Sequence, residues 1–346
     1  ASLPELLDED KVDVWDSGKV TSSDSLLVPG PENLASRQRY YWTVRLWNET
    51  GVPGPYAAAT WFETGLLRME EWFQNGARWI ESPLEPSSGK EVDLWVRHTL
   101  ANIPARIAST YSPELAERKE VGEYVDMKRA QLYDLVWPAS ILRRDFESTD
   151  FVSARLYICG LGFYRAYING KNVAEGHVLA PGDSHYYGNA YYQVYGVTAL
   201  LKEGANCLAV ELVNGRWKAW PGNWSEDYHN RPILLARLEM TDRSGKVSSM
   251  VSDETWKSTR HGILKSGFWL GELFDANMHD TTWNTLEGDT TGWESARAAT
   301  HREEIKKLPR DPQPAETITA YYAPTRISEP KANVYVYSFG KMIGGR

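Results

Sequence analysis

From Ser153 to Leu212, apolar and polar positions alternate with a period of two, and turn residues interrupt them at short intervals. Ala154, Leu156 and Ile158 fall on one face of a strand and Arg155, Tyr157 and Cys159 on the other, a pattern that predicts half-burial. The run Phe163 to Ile168 repeats the period and stops at Asn169-Gly170, the pair best suited to a two-residue hairpin turn with positive φ at both positions. Asn169 therefore reads as a structural residue. Leu208, Val210 and Leu212 alternate again behind the polar turn Lys202-Glu203-Gly204-Ala205-Asn206. Strands this short, separated by turns, predict a β-sandwich.

Similar signals extend in both directions. Val14 to Val20 (VWDSGKV), Arg39 to Gly51 and Ala57 to Leu67 read as strands of a small fibronectin-like sandwich over residues 1–66. A larger sandwich is expected over 67–305. The Pro-rich stretch Asp311 to Glu316 then leads into Asn333 to Phe339, so 306–346 reads as a linker and the first strand of a further β-domain. One segment breaks the rhythm. Ser112-Pro113-Glu114 combines an N-cap, a first-turn proline and an acidic residue, and Val121, Tyr124, Val125, Leu132 and Leu135 follow at near-helical spacing. A helical insertion near 103–137 is predicted between strands of an otherwise all-β chain of tandem sandwiches.

Composition narrows the partners. The chain has 346 residues, 42% hydrophobic and 24% charged, enough for two or three domains with a sizeable core. Its formal net charge of -8, without a basic segment, argues against nucleic acid or an acidic membrane surface and suits a neutral ligand such as sugar. No apolar run approaches the roughly 18–20 residues of a membrane span, and Ala1 to Asp10 lacks the pattern of a signal peptide. Prior removal of a signal fits these features equally well. Cys159 and Cys207 sit inside predicted strands and outside any metal or redox spacing, so buried free thiols are expected, with a disulfide as the alternative if the strands are neighbours. Two sequons, Asn48-Glu49-Thr50 and Asn223-Trp224-Ser225, matter only in a secreted eukaryotic setting.

The order VWDSGKV, RYYWTVRLW, FETGLL, YINGKNV, LAPG, VYGVTALLKEGANCLAVEL, SDETWK and GELFDAN resembles the N-terminal half of α-L-rhamnosidases of glycoside hydrolase family 78. The resemblance implies a fibronectin-like domain, then a jelly-roll related to a calcium-dependent rhamnose-binding module, then a further β-domain. An (α/α)6 catalytic barrel, expected beyond Arg346, would follow. YVYSFGKMIGGR is similar to the family's Asp-Phe-Gly-Gln-Asn-x-x-Gly strand, with Ser338, Lys341 and Met342 departing from it. The implied partners are a rhamnose-containing glycan and that barrel, and calcium is the one candidate cofactor.

Catalysis within this chain has no local support. Inverting hydrolysis needs two carboxyl groups about 6.5–9.5 Å apart. No spacing among the 46 acidic residues singles out a pair, Glu226-Asp227 and Glu272 with Asp275 included. Nucleophile elbows, zinc helices and phosphate loops are absent from the sequence.

Sugar recognition has more. Gly215 to Asn230 holds Trp217, Trp220 and Trp224 among Gly, Pro, Asp227 and His229, the mixture of aromatic platform and polar groups that a saccharide uses. The competing reading packs these tryptophans beneath the loop. A second candidate stretch contains Asp183, Tyr186 and Asn189. Where the family reads Pro-Gly-Trp-Thr-Asp-Tyr, this chain keeps Tyr186 and departs at Asp183, Ser184 and His185. In GELFDAN, Glu272 and Asp275 read as anchors of a strand-to-loop junction, with metal ligation as the minority alternative. Two functions remain open: the non-catalytic N-terminal part of a rhamnosidase, or a free-standing carbohydrate-binding or scaffold protein. A β-galactosidase-like enzyme is a weaker third.

Overall fold

A computed structural model describes residues 12–22, 30–86, 88–134, 137–178, 180–182, 186, 188–217, 231–267, 271–299 and 305–342. At its centre two six-stranded antiparallel sheets face each other. The first runs Glu294–Ser295, Lys257–Arg260, Ser140–Ser148, Gly204–Val213, Phe163–Ile168, Lys171–Asn172. The second runs Arg297–Ala298, Ile80–Glu81, Ile233–Thr241, Ser153–Leu161, Gln193–Gly196, with Val247–Val251 also on Ile233–Thr241. Leu142, Leu208, Val210 and Leu212 from the first sheet meet Leu156, Ile158, Leu234 and Leu238 from the second in the central core.

The predicted strand faces are correct, but half-burial is not. Ala154, Leu156 and Ile158 face the central core, while Tyr157, Cys159 and Leu161 belong to a second buried cluster with Trp72, Trp79, Tyr192, Ile305 and Leu308. The outer face is covered because residues before and after the sandwich fold back over it. This cover also corrects the domain boundary. Residues 305–317 are no free linker: Ile305 and Leu308 are buried, Asp311 accepts hydrogen bonds from Gln193 Nε2 at 3.0 Å and Gly182 N at 3.3 Å, and Glu316–Thr317 pairs with His177–Val178. A hairpin of Arg326–Lys331 and Val334–Ser338 follows, so the predicted strand at 333–339 has a partner that the sequence reading lacked.

The Asn169-Gly170 turn is found with φ of 50° and 80°. Asn169 Nδ2 donates to Asn206 Oδ1 at 2.8 Å, and Asn169 Oδ1 accepts from Cys207 N at 3.0 Å, which accounts for asparagine without a ligand. Cys159 and Cys207 are free, buried and in opposite sheets. Burial raises both thiol pKa values, Cys207 to about 12, so neither is a nucleophile at neutral pH.

The helical insertion is larger than predicted. Helices Lys90–Thr110, Pro113–Ala116 and Lys119–Asp134 lie between the strands Ile80–Glu81 and Ser140–Ser148. Ser112 caps the middle helix as expected, accepting from Leu115 N at 3.2 Å. Lys90–Thr110 went unforeseen because it starts at Gly89 without a side-chain cap and contains Pro104, which reads as a breaker. Val92, Val96 and Leu100 bury its inner face.

In the first domain, strands Arg39–Trp42 and Thr60–Glu63 pair, with Tyr41 opposite Trp61. Val14 to Val20 is not a strand. Asp16 Oδ1 accepts from Gly18 N at 2.8 Å and Gly18 has φ 59°, so the backbone turns there. The predicted strand from Arg39 ends at Trp42, and Asn48 Oδ1 holds the following loop by accepting from Thr50 N and Val52 N. Two arginine forks tie this domain to the sandwich. Arg37 places Nε and Nη2 on the two oxygens of Glu239 at 2.6 and 2.9 Å, and Arg155 does the same to Glu63 at 2.8 and 3.1 Å.

Candidate functional site

A cavity of about 420 Å³ opens on the outer face of the first sheet. Its floor follows from strand alternation. Tyr164, Ala166 and Ile168 point into the core, so Arg165 and Tyr167 of Phe163–Ile168 point outward. Glu211 lies directly opposite Arg165 on Gly204–Val213, a cross-strand pair of opposite charge. Beside it, His261 Nδ1 lies 2.9 Å from Glu211 Oε1, and both residues are buried. The other ring nitrogen, His261 Nε2, is buried and has no partner among the described residues.

Loop 279–288 forms one wall. Asp280 Oδ1 accepts from Thr282 N and Thr282 Oγ1 at 2.7 and 2.8 Å, and these bonds hold its carboxyl below the usual range. Buried Arg143 pins the loop, donating from Nη1 to the carbonyls of Trp283 and Gly288 at 3.3 and 3.1 Å while its other nitrogens fork onto Asp145. Trp283 packs edge-on against Tyr167, with centroids 5.2 Å apart, and 5.5 Å from the His261 ring. His279 lies 4.5 Å from His261 and 5.7 Å from Phe274. Burial raises the Tyr167 pKa, keeping its hydroxyl protonated at neutral pH.

Gly288 makes this wall possible. A Cβ there would lie 2.3 Å from Thr282 O and 2.8 Å from Arg143 Nη1. Gly288→Ala is expected to lower stability by about 1–3 kcal/mol and to raise amide exchange across 279–288. Unchanged exchange would show that the loop is held by other means.

Of the described residues in the two candidate loops, Tyr186, Asn189 and Trp217, none lines this cavity. Trp217 is buried, donates from Nε1 to Arg231 O at 2.9 Å and packs edge-on against buried Tyr186, with centroids 5.2 Å apart. Their expected role as sugar contacts is corrected on this geometry: both rings fill the second core cluster. Asn189 is exposed and forms a parallel bridge with Lys307. Asp183, Trp220, Trp224, Asp227 and His229 lie outside the described residues. Asp275 anchors its junction as expected, accepting from Asn277 N at 3.0 Å, whereas Glu272 lines the cavity. Among the described residues no three His, Cys, Asp or Glu side chains form a metal-binding group.

The cavity escaped the sequence reading because its groups come from four separated stretches: 165–167, 211, 261–274 and 279–284. Strand register sets Arg165 against Glu211, His261 joins through Glu211, and Arg143 brings loop 279–288 to them.

An immunoglobulin-like domain docked on a two-sheet sandwich is the arrangement of a known family. Residues 5–68 match the model of the Rha78A-like N-terminal immunoglobulin domain, and residues 149–318 match that of the alpha-L-rhamnosidase N-terminal domain. The chain is built from the N-terminal β-domains of the α-L-rhamnosidases of glycoside hydrolase family 78. It is 29% identical over 354 residues to an alpha-L-rhamnosidase of Formosa agariphila, a match covering 100% of this chain and 34% of that protein. The solved alpha-L-rhamnosidase of Dictyoglumus thermophilum aligns with TM-score 0.70 and 28% identity, over 95% of this chain and 32% of that one. The Streptomyces avermitilis alpha-L-rhamnosidase, solved with L-rhamnose, shares the fold, with TM-score 0.71 at 22% identity, over 95% of this chain and 43% of that one. The chain thus spans about a third of the length of the first two relatives. No helix among the described residues is long and apolar enough to cross a membrane.

Proposed function

We propose that this chain is the N-terminal, non-catalytic portion of an α-L-rhamnosidase, which removes terminal α-L-rhamnose from glycosides or polysaccharides. The reading is carried by one observation: the whole chain aligns with a portion of a longer alpha-L-rhamnosidase. The chain supplies structural support and sugar contact, and hydrolysis belongs to a catalytic (α/α)6 domain on further polypeptide. Sugar binding by the loop of Trp220, Trp224, Asp227 and His229 is part of the same proposal.

The test is hydrolysis of p-nitrophenyl α-L-rhamnoside by the 346-residue chain and by the product of the whole reading frame. Turnover by the longer product and none by the chain is expected. A longer product inert on rhamnosides, or a reading frame without a catalytic domain, would favour a free-standing binding or scaffold protein instead.

A further inference from the structure

We propose that the cavity between Arg165, Glu211 and loop 279–288 binds one neutral sugar unit. The choice of a sugar as ligand rests on the proposed function; the site itself rests on geometry. Its volume of about 420 Å³ is within the range of small-ligand sites. A saccharide needs fixed polar groups beside an apolar surface, and the cavity has both. Arg165, Glu211, Glu272 and Asn284 supply donors and acceptors, and the Phe274 ring, 47% exposed, lies among them.

The polar groups are held in place before any ligand arrives. Glu211 is fixed by His261, the backbone of Asn284 by the bond from Gly170 N to its carbonyl at 2.8 Å, and the wall at Trp283 and Gly288 by Arg143. A buried nitrogen without a partner is costly. His261 Nε2 is such a nitrogen, and a sugar hydroxyl can satisfy it once the exposed His279 ring turns aside. Charge sets the ligand class. One arginine faces two glutamates, and this excess of acidic side chains disfavours an acidic sugar.

The experiment is calorimetric titration of the 346-residue chain with methyl α-L-rhamnoside, methyl β-D-galactoside and D-glucuronate at about 10 mM, enough to detect a millimolar Kd. Saturable binding of at least one neutral glycoside, and none of glucuronate, is expected. Arg165→Ala and Glu272→Ala alter exposed side chains and leave the fold intact by circular dichroism. Each should weaken binding about tenfold, the size of a lost hydrogen bond to a charged group. Absence of saturable binding, glucuronate binding as tightly as the neutral glycosides, or affinity unmoved by both cavity variants would each overturn the site. Rhamnoside turnover by the longer product is a separate readout, so the site can fail while the function stands, and the reverse.

Discussion

Glu239→Ala is expected to cost about 3–5 kcal/mol of stability, because removing one member of a buried ion pair strands the charge left behind. Glu239 receives two arginines at once. Arg37 forks onto both of its oxygens, and Arg237, itself only 3% exposed, donates from Nε at 2.5 Å. Without the carboxylate, Arg237 retains Gln74 O and a long contact to Ser249 Oγ, and Arg37 retains Glu71. Arg37 also holds a left-handed backbone at φ 61°, a conformation that a non-glycine residue keeps only when its surroundings enforce it. The first domain should therefore loosen along with the pair. Urea unfolding of Glu239→Ala beside Arg237→Met/Glu239→Leu provides the check. The double variant removes charge and countercharge together and should recover most of the loss. A single-variant loss below about 1 kcal/mol would show that the network behaves like a surface pair.

Lys265→Met should have the opposite sign at pH 7 and stabilise the protein. Lys265 is 1% exposed, with Nζ 4.1 Å from the centroid of Trp95 on helix Lys90–Thr110, and burial lowers its pKa from 10.5 to about 8. Because the folded value lies below the unfolded one, the unfolded chain binds more protons between about pH 8 and 10.5, and stability rises with pH across that window. The full penalty is present below the folded pKa. Methionine removes it, for an expected gain of about 1–3 kcal/mol at pH 7 after allowing for the lost contact with Trp95. That gain should shrink above pH 8 and be smallest beyond 10.5. Thermal melts across pH 6–11 would reveal it, and a variant less stable than the parent at pH 7 would mean that the Trp95 contact outweighs desolvation.

What could be read from sequence was local. The Asn169-Gly170 turn, the Ser112 cap and the strand faces around Leu156 depend on residues within a few positions of one another, and all three are present. Burial of Tyr157 and Cys159 was hidden because their cover comes from Trp72, Ile305 and Leu308. For Trp217, aromatic content was a better guide to packing than to ligand contact, since a large ring gains most by leaving water. The cavity joins Arg165 to His261 and Asn284 across pairings that no local pattern specifies.

The short strand Ile80–Glu81 carries a cost during synthesis. Its partners are Ile233–Leu234 on one side and Arg297–Ala298 on the other, with the helical insertion emerging in between. At roughly 5–20 residues per second, a nascent chain leaves Ile80 without its last neighbour for on the order of ten seconds or more. During that time Trp72 and Trp79, destined for the second core cluster, lack Ile305 and Leu308 and present apolar surface that chaperones bind. The helices at 90–134 pack through contacts close in sequence and can form on the ribosome long before the sandwich closes.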